Sequence, residues 1–158
     1  MKIVSHYKKF YPEIAGSLIC LSLGMFSGFI SHASDSVWYQ QLDKPFFNPP
    51  SWIFAPVWTI LYCMMGVALG ILWRDKRKNK NLISLFYLQF LYNFAWSPLF
   101  FYAHRIDIAL LDLLALWLTI IIFMIRARKQ QAVFMLFVPY LVWVTFAFIL
   151  NLSMFIMN

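Results

Sequence analysis

The sequence predicts an all-α integral membrane protein: a single bundle of five transmembrane helices with a long structured first loop. Of its 158 residues, 63% are apolar and only 12% are charged, whereas soluble domains have about 45–50% and about 25%. The apolar residues form five runs of about 20 residues, the length that crosses the hydrocarbon core. The positive charges cluster in the segments between these runs. A soluble domain of this size has too much surface to hide so much apolar material.

We expect one domain, residues 1–158. The predicted helices cover about 12–30, 52–73, 82–102, 106–125 and 132–157. The first apolar run is not a signal peptide, because it is too long and no clear small-residue cleavage site precedes a soluble chain. The short connections after the second, third and fourth helices predict antiparallel neighbours.

The first loop, residues about 31–51, differs from the others in length and composition. It contains Trp38, Tyr39 and three prolines. Long connections in compact domains are usually functional or disordered, and this one is too aromatic for a disordered tether. We expect an ordered lid over one end of the bundle.

The distribution of Lys and Arg predicts the orientation. Eleven of these residues lie in the N-terminal segment and in the second and fourth loops, against Lys44 and Arg105 on the opposite side. The positive-inside rule therefore places the N-terminus in the cytoplasm. Nucleic-acid binding is not expected, because it requires a basic face on a soluble fold.

Polar and small residues inside the apolar runs are candidates for packing or binding. Asn93 and Asn151 would either hydrogen-bond between helices or anchor a ligand. The GxxxG pairs Gly24/Gly28 and Gly66/Gly70 would bring helices close within the bundle or in a homodimer.

The deep tryptophans predict either a pocket for a planar lipophilic molecule or plain core and belt packing, and the residues alone leave both open. No metal-ligand cluster, phosphate loop or hydrolase motif is present in the sequence, so neither a conventional enzyme nor a bound cofactor is expected.

Three stretches resemble a known family. Lys44–Trp73, KPFFNPPSWIFAPVWTILYCMMGVALGILW, resembles the second-helix signature of the translocator protein family (TspO/MBR, the tryptophan-rich sensory proteins and peripheral-type benzodiazepine receptors). Asn93–Phe101, NFAWSPLFF, and Pro139–Asn151, PYLVWVTFAFILN, resemble its third-helix and fifth-helix motifs. The resemblance covers nearly the whole chain, with the motifs in the expected order.

The resemblance implies a membrane receptor or translocator, usually a homodimer, that binds porphyrins such as protoporphyrin IX and other planar lipophilic ligands. Its role would be sensory or in transport, in a bacterial inner membrane. Two alternatives are a light-dependent porphyrin-degrading enzyme, acting through Trp58 and Trp143, and a regulatory membrane scaffold. Animal members carry a C-terminal cholesterol motif, a Tyr followed by a basic residue, which the tail NLSMFIMN lacks. This departure favours a porphyrin over a sterol.

The resemblance also implies the ligand-binding residues. Trp58 and Asn93 would donate hydrogen bonds to a ligand carbonyl, and Ala147 matches a small-residue position where helices pack closely. The complete implied set is Trp38, Tyr39, Trp52, Trp58, Tyr62, Asn93, Trp96, Trp143 and Ala147.

Overall fold

The computed structural model describes residues 10–30 and 37–158. Residues 27–30 are described by their backbone only. These ranges contain six α-helices. They are α1 (Tyr11–Ile30), α2 (Val37–Gln41), α3 (Phe54–Trp73), α4 (Lys80–Ser97), α5 (Ile106–Ala127) and α6 (Gln131–Met157). The basic residues Lys2, Lys8 and Lys9 and the lid residues 31–36 lie outside the described residues.

Three helices in the described ranges are long and apolar enough to cross a membrane: Ser51–Trp73, Ile106–Ala127 and Gln131–Met157. Five were expected. The described apolar part of α1, Tyr11–Phe26, is shorter. Helix α4 is less apolar because it carries polar side chains that are buried inside the bundle, among them Gln89 and Asn93.

Large apolar side chains cover the outside of the bundle. Among those that are more than half exposed are Leu18, Met25, Leu91, Leu111, Val142 and Ile156. Soluble monomers rarely expose contiguous apolar surface of this extent. The outer surface is that of a protein whose helices contact lipid.

The predicted third helix, about 82–102, changes its winding near its C-terminal end. Helix α4 begins at Lys80 and ends at Ser97, and Pro98–Tyr102 forms a π-helical turn. The Pro98 ring nitrogen cannot donate the helical hydrogen bond, which favours a change of winding at this point. The backbone N–H of Ala103 then donates to the Pro98 carbonyl at 2.9 Å.

Helices α1 and α3 pack with their backbones in contact at one end of the bundle. A Cβ atom at Gly66 would collide with the backbone of Ser17, and one at Gly70 with the backbone of Glu13. Glu13 also forms an ion pair with Arg74 just beyond the end of α3. The Gly66/Gly70 pair is therefore used for packing within this chain.

The two basic loops between the long helices lie together at this same end. The Gln130 side-chain amide donates to Asn79 Oδ1 at 2.9 Å, which joins the loop after α3 to the loop after α5. The lid lies at the other end, where Asp43 and Asn158 exchange two hydrogen bonds of 3.0 Å. The bundle thus has a basic-loop end and a lid end.

Candidate ligand cavity

A cavity of about 560 Å³ opens between the long helices at the lid end. This volume lies in the range of sites for small molecules and cofactors. Its wall is mainly apolar and aromatic, with a few polar groups. Eight of the nine residues predicted from the sequence line it: Tyr39, Trp52, Trp58, Tyr62, Asn93, Trp96, Trp143 and Ala147.

Trp38, the ninth, is not part of this wall. Its ring stacks on the His104 ring at 4.2 Å and meets the edge of Phe100 at 5.6 Å. His104 follows the π-helical turn and has a left-handed backbone, with φ of 54°. Trp38 therefore fastens the lid to the loop between α4 and α5 instead of facing the cavity.

Aromatic rings from α3 and α6 form two walls of the cavity. Trp58 stacks on Tyr62 with ring centres 5.5 Å apart. Trp143 meets the edge of Phe54 at 5.9 Å, and its indole N–H is buried with no hydrogen-bond partner among the described residues. Aromatic side chains lose little conformational freedom on binding, and their faces suit a flat apolar ligand.

Tyr62 reaches its position because α1 has a glycine opposite it. A Cβ atom at Gly24 would overlap the Tyr62 ring. The ring thus lies across the space that a larger α1 residue would fill. In the sequence Gly24 stands out only as part of a GxxxG pair, because its contact with Tyr62 depends on the register between two helices.

A chain of buried hydrogen bonds, which we call the polar relay, reaches the cavity wall through Tyr62 and Asn93. The Tyr62 hydroxyl donates to Asn93 Oδ1 at 2.8 Å, and Asn93 Nδ2 donates to the Tyr140 hydroxyl at 3.1 Å. The Tyr140 hydroxyl donates to Gln89 Oε1 at 2.8 Å, and Gln89 Nε2 lies 3.9 Å from the Met65 sulfur. Asn93 therefore makes the interhelical hydrogen bonds that were considered for it, and it also lines the cavity.

Asn151 supports the cavity beside Trp96. The Trp96 indole N–H donates to Asn151 Oδ1 at 3.1 Å, and Asn151 Nδ2 donates to the backbone carbonyl of Ile106 at 3.1 Å. This side chain, itself on α6, joins α4 and α5 beside the cavity. Its polar character within an apolar run was the sequence signal that identified it.

Other wall residues were missed by the sequence analysis, because they are ordinary apolar or small side chains without a distinguishing pattern. They include Leu21, Met25, Phe54, Phe100, Leu116 and Met154. They come from α1, α3, α5, α6 and the π-helical turn, so the cavity is a product of how the helices are arranged and not of one motif.

Tyr39 closes the cavity from the lid. Its ring meets the edge of Phe101 at 5.6 Å, and the Lys44 ammonium lies 4.6 Å from its ring centre. Burial raises the pKa of the Tyr39 hydroxyl above its usual value, so this hydroxyl remains protonated across the physiological range.

Comparison with known proteins places this chain beside one family. The model of the TspO/MBR family matches residues 16–157. The Tryptophan-rich protein TspO of Archaeoglobus fulgidus is 34% identical over 146 residues, covering 92% of this chain and 95% of that protein. The Translocator protein of Homo sapiens is 33% identical over 147 residues, covering 86% and 84%. The Tryptophan-rich sensory protein of Cereibacter sphaeroides is 34% identical over 121 residues, covering 72% of each chain.

Proposed function

The chain belongs to the TspO/MBR family, as its motifs indicated, and on this premise we propose that it binds porphyrins such as protoporphyrin IX in the cavity at its lid end. Binding would serve a sensory or transport role in the membrane. The observation that carries the proposal is the cavity of about 560 Å³ with Trp58 and Trp143 in its wall. The names of two relatives, Translocator protein and Tryptophan-rich sensory protein, support the role.

The proposal includes five membrane spans. Helix α1 has 20 residues, and α4 has 18 before its π-helical turn of five. At about 1.5 Å per residue, α1 and the α4 segment with its turn are each long enough for a hydrocarbon core of about 30 Å. The polar relay supports the assignment of α4, because its polar side chains are hydrogen-bonded inside the bundle and need not meet lipid.

The proposed orientation places the basic-loop end in the cytoplasm of a bacterial cell and the lid end outside. The two loops joined through Asn79 and Gln130, together with the adjoining helix-end residues Lys80 and Arg126, carry eight of the thirteen Lys and Arg residues. The positive-inside rule favours the cytoplasm for such loops in an inner membrane. The protein would act as a homodimer, as the family resemblance implies.

A titration of protoporphyrin IX in the dark into protein in lipid nanodiscs tests the binding proposal. We expect saturable quenching of tryptophan fluorescence near one porphyrin per chain. The change Trp143→Phe removes part of the wall and should weaken binding about tenfold, as loss of a well-placed aromatic contact does. Trp117→Phe is the matched control, because Trp117 hydrogen-bonds Thr145 at 2.9 Å and does not line the cavity.

Equal effects of the two substitutions, or quenching that never saturates, would contradict the proposal. The same samples under illumination test the enzymatic alternative. Loss of many porphyrins per chain would favour light-dependent degradation, whereas loss of about one per chain would favour binding alone.

A further inference from the structure

The basic-loop end carries more positive charge than its own carboxylates balance. Its described residues include eight exposed Lys and Arg side chains but two carboxylates, Glu13 and Asp75. Glu13 is already engaged, because it forms an ion pair with Arg74. The eight basic residues are Arg74, Lys76, Arg77, Lys78, Lys80, Arg126, Arg128 and Lys129. An excess of six positive charges therefore remains at this end.

The described part of the lid end has no such excess. It contains two cations, Lys44 and Arg105, and two carboxylates, Asp43 and Asp107. Arg105 and Asp107 form an ion pair of 2.6 Å, and the Lys44 ammonium lies over the Tyr39 ring. The unbalanced charge is thus a local property of the basic-loop end.

The two basic loops are held side by side by a buried amide. Asn79 is 8% exposed, and its Nδ2 donates to the backbone carbonyl of Leu72 at 2.9 Å. Its Oδ1 accepts from Gln130 Nε2 at 2.9 Å, and the Gln130 backbone N–H donates to the Ala127 carbonyl at 2.7 Å. Both loops therefore present their cations from a fixed backbone, which lowers the entropy that binding a partner would cost.

The basic loops are too short to carry their charges far from the membrane. Helix α3 ends at Trp73, which is 44% exposed, as tryptophans at a membrane–water interface are. The next loop has six residues, 74–79, and the loop after α5 has three, 128–130. A chain that leaves and returns within six residues reaches at most about 10 Å, and the headgroup layer is about 5–7 Å thick. The cations therefore lie near the depth of the lipid phosphates.

We propose that the two basic loops together form a binding surface for anionic phospholipids, whose phosphate groups contact Lys and Arg side chains from both loops. Basic clusters next to a membrane-spanning helix attract anionic headgroups in this way. A soluble acidic protein or a nucleic acid would have to enter the headgroup layer to reach these charges, whereas lipid phosphates are already there. The surface lies at the opposite end from the cavity, and lipid binding there does not depend on the ligand-binding function proposed above.

Two lipids with the same acyl chains test this surface. Phosphatidylglycerol, which is anionic, and phosphatidylcholine, which is not, are titrated separately into the detergent-purified protein. Native mass spectrometry then gives the affinity for the first bound lipid. Wild-type protein should bind phosphatidylglycerol about tenfold more tightly, since each basic residue near the lipid contributes to the attraction. The ratio should fall when the ammonium acetate concentration is raised, because salt screens exposed charges. A wild-type ratio of one would overturn the proposal.

A pair of substitutions, one in each loop, should lower this ratio. Lys78→Gln combined with Lys129→Gln removes two exposed cations and leaves the bond between Asn79 and Gln130 in place, so the ratio should fall to about twofold. Arg77→Gln with Arg128→Gln is a second pair and should act in the same way.

Lys44→Gln with Arg105→Gln is the matched control at the lid end. It lowers the net charge of the protein by the same two units but should keep the wild-type ratio. An equal fall in the lid-end control would show that net charge alone attracts the lipid, and would overturn the proposal. Displacement of phosphatidylglycerol by inorganic phosphate would also overturn it, because the site would then hold a free anion and not a lipid. No displacement by phosphate, together with a fall confined to the basic-loop variants, is the expected result.

Discussion

The basic-loop end and the lid end of the α1–α3 pair are packed in opposite ways. At the basic-loop end, Gly66 and Gly70 bring the two backbones into contact. At the lid end the same face of α3 carries Tyr62, whose ring lies over Gly24 of α1. These α3 residues are four apart and therefore stack along one face of the helix. Along this face of α3, Tyr62 therefore lies in the half of the bundle that holds the cavity. Gly66 and Gly70 lie in the half where α1 and α3 are in backbone contact.

We infer from this difference in packing that the basic-loop end and the lid end have different roles. The basic-loop end has backbone contact, the ion pair of Glu13 with Arg74 and the bridge between Asn79 and Gln130. It therefore anchors the helices on which the cavity is built. Binding sites that stand on rigid elements hold their geometry best. Substitutions at the basic-loop end should reduce stability, and substitutions at the lid end should change ligand binding.

Gly66→Ala should have the largest effect on stability. The added methyl group meets the backbone of Ser17 and Gly16, which cannot turn aside as a side chain can. We expect a loss of about 3 kcal/mol in the free energy of unfolding, at the upper end of the usual cost of overpacking. Unfolding by sodium dodecyl sulfate in mixed micelles, followed by circular dichroism, would measure it.

Gly24→Ala is the matched comparison at the lid end. Here the added methyl group meets the Tyr62 ring, a side chain that can move. We expect a smaller loss of stability, about 1 kcal/mol, together with weaker binding of protoporphyrin IX because Tyr62 leaves its place in the wall. Equal losses of stability in Gly66→Ala and Gly24→Ala would contradict the difference in packing between the basic-loop end and the lid end.

Glu13→Gln should destabilise the basic-loop end without affecting the cavity. The Glu13 side chain is 10% exposed and its partner Arg74 is 37% exposed. Because Arg74 is partly screened by solvent, the loss should be about 1–2 kcal/mol, below the cost of breaking a fully buried pair. Porphyrin affinity measured by fluorescence should not change.

The exposed ion pair of Arg105 with Asp107 serves as the control for this substitution. Its atoms lie 2.6 Å apart with both side chains about half exposed. Asp107→Asn should leave the unfolding transition where it was. A weaker porphyrin affinity in Glu13→Gln would show that the two ends are coupled more strongly than the packing indicates.

Asn158→Ala should have the smallest effect on stability among the destabilising substitutions, and it should act on the lid. Asn158 accepts from the backbone N–H of Asp43 and donates to the Asp43 carbonyl, and these bonds are exposed. Their loss should cost at most about 0.5 kcal/mol but release protoporphyrin IX a few-fold faster, because the lid is less firmly held. Stopped-flow dissociation would measure this rate, and an unchanged rate would mean that the lid does not limit release.

The sequence predicted a long helix in each of the five apolar runs because runs of about twenty apolar residues are a strong signal, and Pro98 changed the winding within one of them. It also predicted Trp58, Asn93 and Trp143 in a common wall, since the family motifs carry them. It did not predict that Asn93 is linked by hydrogen bonds to Tyr140 and, through Tyr140, to Gln89. That arrangement depends on the rotation of α4 and α6 about their axes, and a nearly uniformly apolar helix gives little periodicity from which to read rotation. The position of Trp38 outside the cavity wall could not be predicted for a related reason. Its ring stacks on His104, which is 66 residues away in the chain.

The most direct test of the central claim is an experimental structure of the protein with protoporphyrin IX bound. We expect the porphyrin to lie inside the lid-end cavity, with its plane against Trp58 or Trp143 and its edge near Tyr62. An apolar groove on the outer surface, lined by Leu23, Tyr87 and Phe94, offers the alternative position. Porphyrin in that groove, with the cavity unchanged, would contradict the account.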